Sequence, residues 1–135
     1  YRILEPAVEE HVHQVSRRTG LPIHLKILDV PDAVPLDQAT CLFRVMQESV
    51  QNVVKHAQAT TVTVQLRGSS KGVGLSVIDN GRGFDSQDLR THQQGLGLSS
   101  MEERLRQLYG FFRIQSRPSH GTKVCAWVPC EVEVA

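Results

Sequence analysis

The sequence predicts an α+β domain in which a mixed sheet of about five strands carries three helices on one face. Three observations predict it. The apolar residues switch between helical spacing and strict alternation along the chain. The order they spell is helix, strand, helix, strand, strand, helix, strand, strand, which does not fit a regular parallel βαβ succession. A length of 135 residues with 40% hydrophobic and 21% charged residues suits one folded domain, expected over 1–135.

Leu4, Val8, Val12 and Val15 recur at helical spacing, with Pro6 tolerated near the start and Gly20 as the stop. Ile23, Leu25 and Ile27 alternate with His24 and Lys26, the period of a half-buried strand. After a loop over Asp29 to Leu36, the stretch from Asp37 to Ala57 keeps Leu42, Val45, Met46, Ser49, Val50, Val53, Val54 and Ala57 on one side and predicts the longest helix. Val62, Val64 and Leu66, a turn at Gly68 to Gly72, then Val73, Leu75 and Val77 predict a hairpin. A loop runs from Asp79 to Gly95. Ser100 with Glu103 forms a capping-box pattern ahead of a third helix bearing Leu98, Met101, Leu105 and Leu108 and ending at Gly110. Phe111 to Gln115 and Thr122 to Val128 predict the last two strands, with Pro118 and Gly121 between them.

Composition excludes several classes. With 15 basic and 14 acidic residues the formal charge is +1, so no bulk field attracts nucleic acid or an anionic membrane, and nucleic acid is not expected as a partner. Apolar runs such as Val62 to Leu66 fall well short of the roughly 20 residues of a membrane span. Position 1 is Tyr and no signal-peptide succession follows, so the chain is expected to be a fragment of something longer. Cys41, Cys125 and Cys130 show neither zinc-site spacing nor the density of a disulfide scaffold, which predicts reduced thiols.

Three clusters carry candidate chemistry. Glu48, Asn52, Lys55 and His56 form a polar ridge beside the apolar stripe of the long helix. Alone, such a ridge equally describes a solvated helix face. Asp79 ends an apolar strand and leads into Asn80-Gly81-Arg82-Gly83, which permits a tight turn and close approach to the backbone. A partly buried carboxylate only accepts hydrogen bonds, so it can pair with the exocyclic amine of adenine and repels the oxygen guanine has there; a plain turn is the alternative. Gly95-Leu96-Gly97-Leu98 precedes the third helix, where free N–H groups can face a phosphate; a flexible loop is the alternative. Gly121-Thr122 opens the last strand. There is no P-loop pattern.

Taken in order, the stretch Gln47 to Ala57, the stretch Asp79 to Asp85, Gly95 to Leu98, and His120-Gly121-Thr122 resemble the N, G1, G2 and G3 boxes of sensor histidine kinases. The resemblance is nearest to the nitrate-sensor-like subfamily, through Gln47-Glu48 and the helix Met101-Glu102-Glu103-Arg104, and covers about Leu4 to Val128. It implies the α/β sandwich called the Bergerat fold, shared with DNA gyrase and MutL-type ATPases. It implies binding of ATP and Mg²⁺ by the catalytic domain of a protein histidine kinase. Asn52 then supplies its amide oxygen to Mg²⁺, an ion that prefers oxygen ligands. Asp79 binds the adenine amine, with Gly81, Gly83, Phe84 and Thr122 completing the pocket. Lys55 and His56 approach the phosphates, as do Gly95, Leu96, Gly97 and Leu98. Residues 84–94 form a lid, and Glu48 stands where superfamily ATPases keep a water-activating carboxylate.

The implied partners are a helical dimerisation domain carrying the phosphoaccepting histidine, and a response regulator; in isolation a cytoplasmic monomer is expected. His11 precedes Val12 and His13 precedes Gln14, so neither has the His-Asp or His-Glu step of an acceptor, which is expected before Tyr1. His24 and His92 are expected to be non-catalytic. Three rival readings stay open on sequence: a serine kinase or ATPase of the same superfamily, an ATP-sensing pseudokinase module, and a purely structural domain.

Overall fold

The structure is a computed structural model that describes residues 3–85 and 99–130. Helix α1 spans Leu4–Thr19, and its buried stripe is the expected Leu4, Val8, Val12 and Val15. Gly20 ends it in the left-handed region at φ 76°, its N–H donating to Ser16 O at 2.8 Å. Strand β1 is Ile23–Leu28. Helix α2 spans Leu36–Asn52 and passes directly into a π-helical turn, Val53–Ala57, closed by Gln58 at φ 51°. Strands β2, Val62–Gly68, and β3, Gly72–Asp79, form the predicted hairpin. Helix α3 is Ser99–Gln107, followed by β4, Phe111–Ser116, and β5, Thr122–Pro129.

The five strands form one mixed sheet in the order β1-β2-β3-β5-β4. β1 and β2 are parallel, so the chain between them must cross over, and α2 is that crossover. The remaining pairs, β2 with β3, β3 with β5 and β4 with β5, are antiparallel. Alternation in β2, β3 and β5 aims Val62, Val64, Leu66, Val73, Leu75, Val77, Val124, Ala126 and Val128 at the helices. There they meet Leu42, Val45, Met46 and Val50 of α2 and Leu105 of α3 in one core. The α+β expectation, with three helices on one face, therefore holds. Cys41, Cys125 and Cys130 are free thiols, and no helix among the described residues is long and apolar enough to cross a membrane.

Two local expectations differ. The long helix does not stay α-helical to Ala57, because its last turn widens to the π form. Ser100 lies inside the first turn of α3 rather than ahead of it, and Glu103 faces forward to Arg106 at 3.8 Å.

Candidate functional site

The site is built where the C-terminal ends of α2 and β3 meet the start of β5. The wide π turn carries Ala57 to the loop after β3, where Ala57 O accepts from Arg82 N at 2.8 Å. Gly81 makes this approach possible, since a Cβ there would run into the Ala57 carbonyl. Asn80 fastens the same junction from outside. Its Oδ1 accepts from Thr60 N at 2.9 Å and Thr61 N at 3.0 Å, and its Nδ2 donates to Thr60 Oγ1 at 2.7 Å.

Asp79, the last residue of β3, faces the helix layer and is 7% exposed. Its Oδ1 accepts from Gly81 N at 2.8 Å. Burial pushes its carboxyl above the ordinary range, while N–H donation from Gly81 and from Thr122, its partner across to β5, pulls the other way. A carboxylate has about four acceptor positions, and two N–H groups leave capacity for a ligand donor.

Gly121 packs against Asp79 at φ 75°, where a Cβ would meet the Asp79 carbonyl. Ser116, at the end of β4, ties the rest together. It is 9% exposed; its Oγ accepts from Phe84 N at 2.9 Å, donates to Gly121 O at 3.0 Å and lies 2.9 Å from Thr122 Oγ1. Gly83, at φ 61°, threads against the carbonyls of Arg117 and Gly121.

Of the sequence-predicted residues, Asp79, Gly81, Gly83, Phe84 and Thr122 come together in this way. On the helix side Glu48 and Asn52 are half-buried, while Lys55 and His56 stand exposed on the π turn that leads to Ala57. Gly95, Leu96, Gly97, Leu98 and His92, with the lid after Asp85, lie outside the described residues. Sequence reasoning passed over Ser116 and Asn80. The signal for Ser116 was present: after Phe112 and Ile114, the alternation of β4 puts a hydroxyl where an apolar residue is due. Ser49 was read only as part of the apolar stripe; it is 2% exposed, and its Oγ has no hydrogen-bond partner.

Known structures share this architecture. The histidine kinase domain of the blue-light activated kinase EL346 of Erythrobacter litoralis superposes with a TM-score of 0.70 over 90% of this chain and 62% of that one, at 20% identity. A second structure of that kinase gives 0.72 over 93% of this chain and 41% of that one, at 22% identity. The fold is thus that of histidine kinase ATPase domains. The family profile "Histidine kinase-, DNA gyrase B-, and HSP90-like ATPase" matches residues 37–132, and the chain belongs to that family. Among curated relatives it is 30% identical over 130 residues to the histidine-protein kinase/phosphatase DegS of Brevibacillus brevis, covering 96% of this chain and 33% of DegS. It is 34% identical over 121 residues to the nitrate/nitrite sensor NarX of Escherichia coli K12, covering 90% of this chain and 20% of NarX. It thus spans a third or less of either relative.

Proposed function

We propose that this chain is the ATP-binding catalytic domain of a two-component sensor histidine kinase. It binds Mg-ATP, and a histidine nitrogen on a separate helical dimerisation domain attacks the γ-phosphorus. The bond to the bridging oxygen breaks and ADP leaves. The phosphoryl group then passes to an aspartate of a response regulator.

The observation that carries this reading is the buried, acceptor-only Asp79 at the end of a central strand, with acceptor capacity left over, next to the loop that Ala57, at the end of the turn following Asn52, packs against. Asp79 takes the adenine amine, and Thr122 and Gly83 bound the pocket edge. One helical turn before Asn52, the buried Ser49 hydroxyl has no hydrogen-bond partner among the described residues. Asn52 suits Mg²⁺ as a single neutral oxygen ligand, since this ion keeps waters and phosphate oxygens as its other ligands. Held there by Asn52, Mg²⁺ would offset the negative charge of the phosphates. Lys55 and His56, exposed on the π turn, approach the phosphates, and Glu48 stands one turn before Asn52 on the same ridge. Catalysis in this reading is positioning, with the phosphate charge offset by Mg²⁺ and the cationic side chains.

The test is phosphotransfer from Mg-ATP to a supplied acceptor domain from a relative of this kind. The expected product is acid-labile phosphohistidine. An acid-stable product would make the chain a serine kinase, and ATP binding without transfer would make it a sensing module. ATP at 100 times its dissociation constant should stabilise the fold by about 2.7 kcal/mol; no shift leaves only a structural domain.

A further inference from the structure

The second face of the sheet is left uncovered by the helices, and its chemistry is one-sided. Alternation places Lys26, Arg67, Arg113 and Lys123 on it, all exposed, and no Asp or Glu occupies any outward strand position. The whole chain is nearly neutral, so this is segregation of charge rather than general basicity. None of the four cations forms an ion pair among the described residues.

An aromatic platform sits between them. The register sets Arg67, Gly74, Trp127 and Phe111 side by side across β2, β3, β5 and β4. Trp127 lies over β3 because Gly72 and Gly74 have no side chains: a Cβ at Gly72 would run into the indole, and one at Gly74 would touch its Cδ1 at 3.7 Å. Phe111, 58% exposed, stacks on Trp127 with centroids 5.6 Å apart and planes at 18°. Trp127 is half-buried and Phe111 exposed, and aromatic rings and arginines are enriched in protein interfaces.

We infer that this face docks an acidic surface of another protein domain, which lays an apolar side chain on Trp127 and Phe111 and directs carboxylates to the four cations. Charge complementarity selects the partner's sign. Five strands about 4.8 Å apart and six to eight residues long offer roughly 400 to 500 Å² of flat face, against about 800 Å² per partner in a stable complex. Such a face makes a weak contact, which suits a domain tethered on the same polypeptide, where effective concentration is high. Nucleic acid is less well matched, because the net charge of +1 supplies no long-range attraction for a phosphate backbone. None of these residues belongs to the nucleotide pocket, so the inference stands or falls independently of it.

Trp127 is the chain's single tryptophan, and its fluorescence reports on this face directly. The probe is a synthetic peptide of alternating Glu and Asp around a central Leu-Phe pair, with oligo(dT) and phosphatidylglycerol vesicles as parallel probes. Saturable change in Trp127 fluorescence with the peptide is expected. Arg113→Glu with Lys123→Glu should weaken it at least about tenfold, whereas Arg17→Glu with Arg18→Glu on α1, an equal change in charge, should alter it no more than about twofold. Lys26→Glu with Arg67→Glu repeats the reversal on other strands should the first variant melt early, and Phe111→Ser should weaken peptide binding without changing charge. Equal loss in the α1 variant overturns the inference. So does tighter binding of oligo(dT) or vesicles through the same residues, which would make nucleic acid or a lipid surface the occupant.

Discussion

Asp79→Asn exchanges one oxygen for an amide nitrogen while keeping the shape of a side chain that is 7% exposed. The remaining oxygen can still accept from Gly81 N, now 2.8 Å away, and has a second lone pair for Thr122 N, so the loop after β3 should hold its course. What changes is the atom left for a ligand. An NH₂ group facing the adenine amine sets donor against donor, and the expected loss is about 1 to 3 kcal/mol, or roughly five- to 150-fold in the ATP dissociation constant. The same change should relax discrimination against GTP, because an amide can donate to the guanine oxygen that a carboxylate repels. Stability should move the other way. Burial raises the Asp79 pKa, so the folded chain holds this proton more tightly than the unfolded one. The contribution of this group is therefore full below the ordinary carboxylate value and is lost as pH rises through the raised one. Asn carries no such penalty, so at neutral pH the variant should be at least as stable as the parent, and the fall in stability across that acid window should flatten. Calorimetric titration with ATP and GTP, beside urea unfolding over a pH series, reads both effects. Unchanged ATP affinity in a folded variant refutes Asp79 as the purine reader; a loss of affinity matched by a loss of stability refutes the separation of roles.

Other outcomes follow from single contacts. Asn52→Ala should abolish phosphotransfer to a supplied acceptor while metal-free nucleotide binding persists, measured with radiolabelled ATP and by calorimetry in EDTA. Gly121→Ala combines a left-handed φ with a Cβ driven into the Asp79 carbonyl, whereas Gly20→Ala has a similar φ and open space. Gly20→Ala should thus cost about 1 to 2 kcal/mol and Gly121→Ala clearly more, compared by urea unfolding. Ser49→Ala removes a buried hydroxyl that has no partner, so the ligand-free domain should be unchanged or up to about 1 kcal/mol more stable in the same assay. Asn80→Ala loses three hydrogen bonds at an exposed junction and should destabilise by about 1 to 2 kcal/mol, with weaker ATP binding as the loop after β3 loosens.

The strands and helices were legible because each buries one face, and the spacing of Val8, Val12 and Val15 or of Val62, Val64 and Leu66 records that face directly. Asp79 was legible for a related reason: a carboxylate that ends an apolar strand and precedes glycines must be either turned out or put to use. The sequence alone thereby determined the element types, their order and the mixed character of the sheet, and it singled out Asp79, Gly81 and Thr122, which the structure brings together. The tertiary structure alone decided the strand order, which places β5 between β3 and β4 and so brings Thr122 and Gly121 against Asp79. It also decided the π turn, whose apolar spacing reads as ordinary helix but whose Ala57 carbonyl is claimed by Arg82, and the junctions made by Ser116 and Asn80. The open basic face likewise emerged only once five separate strands were set in register. Periodicity records which side of an element is apolar; it carries no information about the partner that side will meet, because bonds such as Thr60 to Asn80 and Phe84 to Ser116 join residues 20 and 32 positions apart.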